Sequence, residues 1–289
     1  MRPLRPSQAS YILAKAKISE KTAQNDPKLD DKWFLSIDQS KLKFKEEMGS
    51  GSFSTVYKGS YKTKGGKKEL VAIKALEESV IDLSDLKSEL ATMSLLSGVV
   101  EHMVHFMGYF YMQQKNSGVM KSVKKYHCLV MELMETNLEE ILYDPNKKQP
   151  LSEIDVRHIA YEVALCMEQL HHFTVLHRDL KPANILLNRT KKPSPNSGNW
   201  VVKVADFGYA RRDSKESLRK SVVGTPAYLA PELVGHSRSD DVGRPADVYS
   251  YGVILWEMIA KKKPHDGMES ASLFLHVINC VVVQRAWKV

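Results

Sequence analysis

From Leu42 onward the chain alternates. The runs LKFKEEM, STVYKGSY, ELVAIKAL, VHFMGYFYM and YHCLVMEL are rich in β-branched and aromatic residues and set apolar against polar positions, the pattern of short antiparallel strands. A stretch between the third and fourth run breaks the alternation. DLSDLKSELATMSLL spaces Leu83, Leu86, Leu90, Met93 and Leu96 at helical intervals, with Asp82 or Ser84 as its start signal. After Pro150 the period lengthens for good: LSEIDVRHIAYEVALCMEQLHHF opens on Ser152 as a cap, and PADVYSYGVILWEMIA repeats the helical spacing. The pattern predicts an α+β chain with a small strand-rich part over 42–134 and a larger, mostly helical part over 135–289, joined near Met134 to Asn137. Residues 1–41 are polar and weakly patterned, and read as a flexible extension. QQKNSGVMKSVKK and NRTKKPSPNSGN read as surface loops between strands. A cleft between the two parts is where a ligand is expected.

Composition narrows the class. With 289 residues, 43% of them hydrophobic, the chain can build two lobes with cores of their own. No run approaches the roughly 18 apolar residues of a membrane span. Cys128, Cys166 and Cys280 are dispersed and odd in number, which fits a reducing compartment without a disulfide framework. A cytoplasmic location is expected, with the nucleus as the alternative; the basic start, free of acids up to Glu20, also has the composition of a transit segment. The net charge is +8, but the lysines sit in small groups beside Gly, Ser, Asn and Pro. No aromatic residues alternate with them, so solvated loops explain them better than a nucleic-acid surface.

Four stretches carry candidate chemistry. In GSGSFSTVYKG (49–59), Gly49 and Gly51 lie between two predicted strands and would let backbone N–H groups approach anionic oxygens. No helix follows, which argues against a dinucleotide-binding unit; an ordinary hairpin turn has the same look. In VAIK, Lys74 ends an apolar run, and a half-buried ammonium needs an anionic partner, for which Glu89 in LKSELATM is the best candidate. An exposed strand lysine and a surface glutamate is the plainer reading. In VKVADFG, Asp206 follows an alternating strand and could bind a hard cation such as Mg²⁺. HRDLKPAN (177–184) crowds a base candidate, a cation and an amide into one turn: Asp179 to orient and deprotonate a hydroxyl, Lys181 to hold moving phosphoryl charge, Asn184 as a second metal ligand. Taken alone it is also what a polar turn looks like.

Order decides among these readings. GSGSFSTV, VAIK, a helical Glu89, HRDLKPAN, DFG and APE (Ala230 to Glu232) follow one another within one stretch of chain, and over residues 42 to about 280 the sequence resembles the protein kinase family. The resemblance implies a bilobal fold and an ATP-dependent enzyme using Mg²⁺. Gly49, Ser50, Gly51, Ser52 and Phe53 would cover the nucleotide phosphates, with Ser54 where a third glycine is usual. Lys74 would contact the α- and β-phosphates and pair with Glu89. Met131 would stand behind the adenine, the backbone of Glu132 and Met134 would hydrogen-bond it, Val56, Ala72 and Leu186 would sandwich it, and Asn137 would face the ribose. Asp179 would be the catalytic base, with Asn184 and Asp206 on magnesium. Met93, Phe106, His177 and Phe207 would stack as an apolar column across the lobes, or simply pack as core.

The resemblance also implies finer expectations. Lys181 and GTPAYLAPE are similar to the serine/threonine class, with Thr225 as a substrate-pocket residue near Asp179 and Lys181. KWFLSIDQSKLKF and DVYSYGVILWEM are similar to its tyrosine-kinase-like group. Partners would be ATP, proteins bearing Ser or Thr, and an upstream activating kinase. Arg178, beside Asp179, would pair with a phosphate on the activation segment, at Ser217 or Ser221, which Arg211, Arg212, Arg219 and Lys220 surround with cations. One departure stands out. The chain ends at VVVQRAWKV, where the family continues through further helices that supply an arginine to the glutamate corresponding to Glu232. The helical lobe is therefore expected to lack its final helices, which keeps open a second function: a pseudokinase-like scaffold that binds nucleotide and partners without efficient transfer.

Overall fold

The computed structural model describes residues 36–51, 54–63, 65–115, 123–146, 151–191, 198–212, 224–234, 243–268 and 272. Its internal contacts divide the chain into two units, Met1–Met134 and Glu135–Val289.

Among the described residues, the first unit forms a five-stranded antiparallel sheet and one α-helix. Strands β1 (Leu42–Ser50), β2 (Ser54–Lys62), β3 (Lys68–Glu77), β4 (Phe106–Lys115) and β5 (Val123–Glu132) lie in the order β1-β2-β3-β5-β4. Alternation along β3 sorts its side chains: Val71, Ile73 and Ala75 join Phe110, Cys128, Val130, Ile37 and Leu42 in a buried cluster, which leaves Ala72 and Lys74 for the opposite face. Helix α1 (Leu83–Leu96) starts where Asp82 accepts a hydrogen bond from Ser84 N at 2.7 Å. It buries Leu86, Leu90, Met93 and Leu96; Leu83, expected on the same stripe, remains exposed in the first turn. The strands also run further than alternation predicted. Gln113, Gln114 and Lys115 pair with Lys125, Lys124 and Val123, inside the stretch read as a loop. Backbone pairing continues there with Val123 exposed and the other positions polar, and Lys124 and Lys125 reach Glu77 and Glu78 at 3.0 and 3.3 Å.

His127 is buried in this hairpin. Its Nδ1 lies 2.7 Å from the Tyr109 hydroxyl and its Nε2 3.5 Å from Glu78 Oε2. Burial holds its pKa below the usual 6.5, against the pull of Glu78. The unfolded chain therefore takes up this proton at a higher pH than the folded one. Folding stability attributable to His127 is complete above pH 6.5 and declines as pH falls below it. The difference between wild type and His127→Gln in denaturant unfolding between about pH 5 and pH 7 reads this contribution; parallel curves would show that His127 carries none of it.

The second unit is built on two helices. Helix α2 (Leu138–Tyr143) follows the short β6 (Thr136–Asn137), and α3 (Glu153–His172) opens with a reciprocal box in which Ser152 and Asp155 satisfy each other's backbone N–H groups. Strands β7 (Val175–Leu176), β8 (Ile185–Arg189), β9 (Trp200–Val204) and β10 (Arg211–Arg212) complete two small sheets, β6-β8-β9 and β7-β10. A short α4 (Pro231–Val234) precedes α5 (Arg244–Ala260), the second long helix. Ile159, Val163, Cys166 and Leu170 of α3, Ile185 and Leu187 of β8, Val202 and Val204 of β9 and Ile254 and Met258 of α5 form buried core. Apart from Ser272, residues 269–289 lie outside the described residues, and with them the expectation about the final helices.

Candidate functional site

Pairing across the first sheet places one set of predicted residues in a row. Gly49 lies opposite Val56, Val56 opposite Lys74 and Lys74 opposite Leu129, while the neighbouring Ala72 faces Met131. Directly opposed residues share a face, so Val56, Ala72, Lys74 and Met131 stand together on the face away from the Val71–Ile73 cluster. Lys74 Nζ lies 2.9 Å from Glu89 Oε1, with the two side chains 13% and 6% exposed. This is the partner that a half-buried ammonium requires, and it fixes α1 to β3. A Cβ at Gly49 would meet nothing within 4 Å, and one at Gly51 only Ser54 O at 3.7 Å. The protein's own packing does not demand glycine at either position, unlike Gly59, where a Cβ would strike Ile73 at 2.6 Å. At the end of β5, Glu132 N donates to His105 O at 2.9 Å, and His105 N donates back to the Glu132 carboxylate at 2.7 Å. Any adenine contact at Glu132 therefore falls to its carbonyl.

The second unit concentrates polar groups around one carboxylate. Asp179 is buried, and its Oδ1 accepts from Thr225 N at 2.9 Å and Thr225 Oγ1 at 2.8 Å. Its Oδ2 meets Lys181 Nζ at 2.8 Å and Asn184 Nδ2 at 3.4 Å, and Lys181 donates in turn to Thr225 Oγ1 at 2.8 Å. Asn184 Nδ2 also donates to Asp179 O at 2.8 Å, which turns Oδ1 of the amide away as an acceptor. The β8–β9 register then fixes what stands beside it. Ile185 pairs with Val204, so Asn184 precedes one strand as Ala205 and Asp206 leave the other, and Ala205 N donates to Asn184 O at 2.9 Å. Asp206 takes a left-handed φ of 63°. Among the described residues no three His, Cys, Asp or Glu side chains form a cage for a metal. One amide oxygen and one carboxylate suit a hard cation that brings its other ligands as phosphate and water, so the donor set fits magnesium.

Backbone geometry explains two fixed points of this loop. Arg178 has φ 69°, and Gly224 has φ 112° with room for a hydrogen only, since a Cβ would lie 2.6 Å from Arg178 O. His177 Nδ1 accepts from Asp179 N at 3.3 Å, so the ring proton belongs on Nε2, which donates to Ala205 O at 3.0 Å. His177 and Phe207 are fully buried with ring centroids 5.2 Å apart; Met93 and Phe106 are buried in the first unit.

Asn137, expected at the ribose, spends both ends of its amide on α2: Oδ1 accepts from Glu140 N at 2.9 Å and Nδ2 donates to Glu140 Oε1 at 3.1 Å. Leu186 is half-buried between buried Ile185 and Leu187, and Met134 is itself buried. Ser50 reaches the Thr55 hydroxyl at 3.2 Å. Ser52, Phe53, Ser217 and Ser221 lie outside the described residues.

Sequence reasoning missed a buried polar stripe on α5. Asp247, Ser250 and Glu257 recur at helical spacing beside the core residue Ile254, and all are buried. Asp247 accepts from His177 N and Arg178 N, both at 2.9 Å, and lies 2.8 Å from His171 Nε2. Ser250 donates to Tyr228 O at 2.7 Å. Glu257 accepts from the hydroxyls of Tyr143 and Tyr228. The signal was present, since Asp and Glu interrupt an otherwise apolar helix. Their partners lie far away in sequence, where no local pattern reaches.

The comparisons with known proteins match this geometry. The family described as protein kinase domain matches residues 42–288. The chain is 33% identical over 243 residues to the serine/threonine-protein kinase STY46 of Arabidopsis thaliana, covering 82% of this chain and 36% of that one. It is 32% identical over 234 residues to the dual specificity protein kinase shkD of Dictyostelium discoideum, covering 80% and 28%, and 33% identical over 245 residues to shkB of the same organism, covering 81% and 33%. The chain thus spans about a third of the length of these curated relatives. With a match over most of its length, and with Lys74–Glu89, Asp179, Asn184 and Asp206 placed as described, the chain belongs to the protein kinase domain family.

Proposed function

We propose that this chain is a catalytic kinase domain that transfers the γ-phosphoryl group of ATP to serine and threonine hydroxyls of proteins, within the tyrosine-kinase-like group. The observation that carries the reading is the hydrogen-bonded cluster of Asp179, Lys181, Thr225 and Asn184 beside the Asp206 turn. In the proposed reaction an acceptor hydroxyl oxygen forms a bond to the γ-phosphorus. The bond from that phosphorus to the β–γ bridging oxygen breaks, ADP leaves, and the hydroxyl proton passes to Asp179. Oδ1 is taken by both Thr225 donors, whereas Oδ2 has Lys181 at 2.8 Å and only a long Asn184 contact at 3.4 Å, so Oδ2 is assigned the hydroxyl proton. Lys181 is positioned to offset charge on the transferred group, and Lys74, oriented by Glu89, to hold the α- and β-phosphates. Asn184 and Asp206 would hold magnesium, which when bound neutralises phosphate charge.

The test uses radiolabelled ATP, Mg²⁺ and a generic basic protein, with Asp206→Asn alongside. Expected are incorporation into Ser and Thr and a nucleotide-induced rise in melting temperature that requires Mg²⁺, both lost in the variant. Nucleotide stabilisation without transfer would favour the scaffold reading, and incorporation into Tyr would widen the acceptor class. Regulation by phosphorylation at Ser217 or Ser221 belongs to the same proposal. In this assay, phosphatase treatment should lower wild-type activity and leave a Ser217→Ala/Ser221→Ala chain unaffected; equal sensitivity of both would remove it.

A further inference from the structure

The backbone from Glu132 to Met134 is the stretch to which adenine is assigned, and the peptide that follows it is held by a side chain that the reaction above does not use. Glu135 N donates to Asn188 Oδ1 at 2.6 Å, and Arg189 N donates back to Glu135 Oε2 at 3.1 Å. The place of this clasp follows from register. Thr136 pairs with Leu187 and Asn137 with Leu186, so the β6–β8 ladder carried one step further sets Glu135 opposite Asn188. There side chains take over from the backbone. Burial does not explain them, since Glu135 is exposed and Asn188 only half-buried, where water serves as an alternative partner. What the clasp fixes is the direction of one N–H. At the other end of the stretch Glu132 is fixed separately, its N–H and its carboxylate both bonded to the His105 backbone.

We propose that Asn188 is a positioning residue for the nucleotide base: it holds the Glu135 N–H and so aims the Met134 carbonyl, while the Glu135 carboxylate keeps β8 in place through Arg189 N. This rests on the kinase reading above and names what sets its base seat. The Met134–Glu135 peptide is trans and planar, so its carbonyl points opposite to its N–H, and fixing one fixes the other. A hydrogen bond to the base depends on that direction, since it weakens steeply as its angle falls below about 120°. Strand β8 begins at Ile185, directly after the metal-ligand candidate Asn184, so one strand of five residues spaces the seat of the base from the metal. Asn188 itself touches no nucleotide atom in this scheme. Losing its oxygen frees the peptide to rotate. The effect falls on the base alone, because the phosphate and acceptor groups are held elsewhere: Lys74 by Glu89, Lys181 and Thr225 by Asp179.

The full chain carrying Asn188→Ala tests this by turnover, binding and exchange. KM for ATP should rise by about threefold to tenfold, the scale of one net hydrogen bond, with kcat and the KM for an acceptor peptide unchanged. Affinity for adenosine, read as competition with ATP and as a shift in melting temperature, should fall by the same factor, which places the loss at the base and not at the phosphates. Hydrogen exchange at the Glu135 amide should quicken while the Glu132 amide and those of α3 keep their protection. Glu135→Ala, an exposed change that leaves the fold intact, should move the same readouts in the same direction by less, and Glu135→Gln, which keeps an acceptor for Arg189 N, should stay within about twofold of wild type. A chain that binds adenosine without transferring phosphate defeats the kinase reading, and binding and exchange still judge Asn188. Faster Glu135 exchange with unchanged adenosine affinity makes the clasp structural only and overturns the proposal. Unchanged exchange overturns it as well, and so does an equal rise in the KM of ATP and of peptide.

Discussion

Asp179→Asn lowers kcat for peptide phosphorylation by about 10²–10⁴-fold and leaves nucleotide binding intact, the expected result if Asp179 is the base of the proposed reaction. Asparagine is isosteric and can still accept from Thr225 at one oxygen, so the loop should persist. It loses the charge that holds Lys181 at 2.8 Å, and it cannot receive the hydroxyl proton. The measurement is a steady-state assay beside a titration of Mg²⁺–ATP by melting temperature. A variant that keeps more than a tenth of wild-type kcat would remove Asp179 from the chemistry. One that loses nucleotide binding as well would point to collapse of the loop instead.

Asp247→Ala should be the most destructive single change to stability. The carboxylate accepts from His177 N and Arg178 N and lies 2.8 Å from His171 Nε2, all within the core of the second unit. Alanine strands the buried His177 N–H and the part-buried Arg178 N–H, and each buried unsatisfied group costs about 1–3 kcal/mol, so a loss of about 3–5 kcal/mol is expected. Arg178 holds a left-handed φ of 69°, a conformation that its anchor helps to maintain. Urea unfolding measures the loss, and phosphoryl transfer should fall with it as Asp179 loses its place. Asp247→Asn, which retains one acceptor oxygen, should recover part of both. A destabilisation below about 1 kcal/mol would show that the loop is held by other means.

Elements whose existence depends on their own side chains were legible. The cap at Asp82, the box at Ser152 and the stripe of Leu86, Leu90, Met93 and Leu96 are local signals, and the helices begin where those signals stand. The candidate site was legible in its identities because motif spacing records chemistry. Lys74 meets Glu89, and Asp179 meets Lys181 and Thr225. What escaped depends on partners distant in sequence. The ends of β4 and β5 are held by backbone pairing, which leaves no trace in hydrophobicity. Asp247 and Glu257 looked like interruptions of an apolar helix, and their meaning lies in loops on the far side of the core.

The β8–β9 hairpin separates what must be kept from what is allowed to drift. At one end Ile185 pairs with Val204 and sets Asn184 beside the Asp206 turn. At the other, Arg189 pairs with Trp200 and lies 4.1 Å over its ring, while Thr190 N donates to Asn199 O at 2.9 Å. That clasp insulates the register at Asn184 and Asp206 from the length of whatever joins the strands. Lysine- and proline-rich insertions between Lys191 and Gly198 can accumulate, or an affinity tag can be grafted there, without cost to the chemistry at the opposite end.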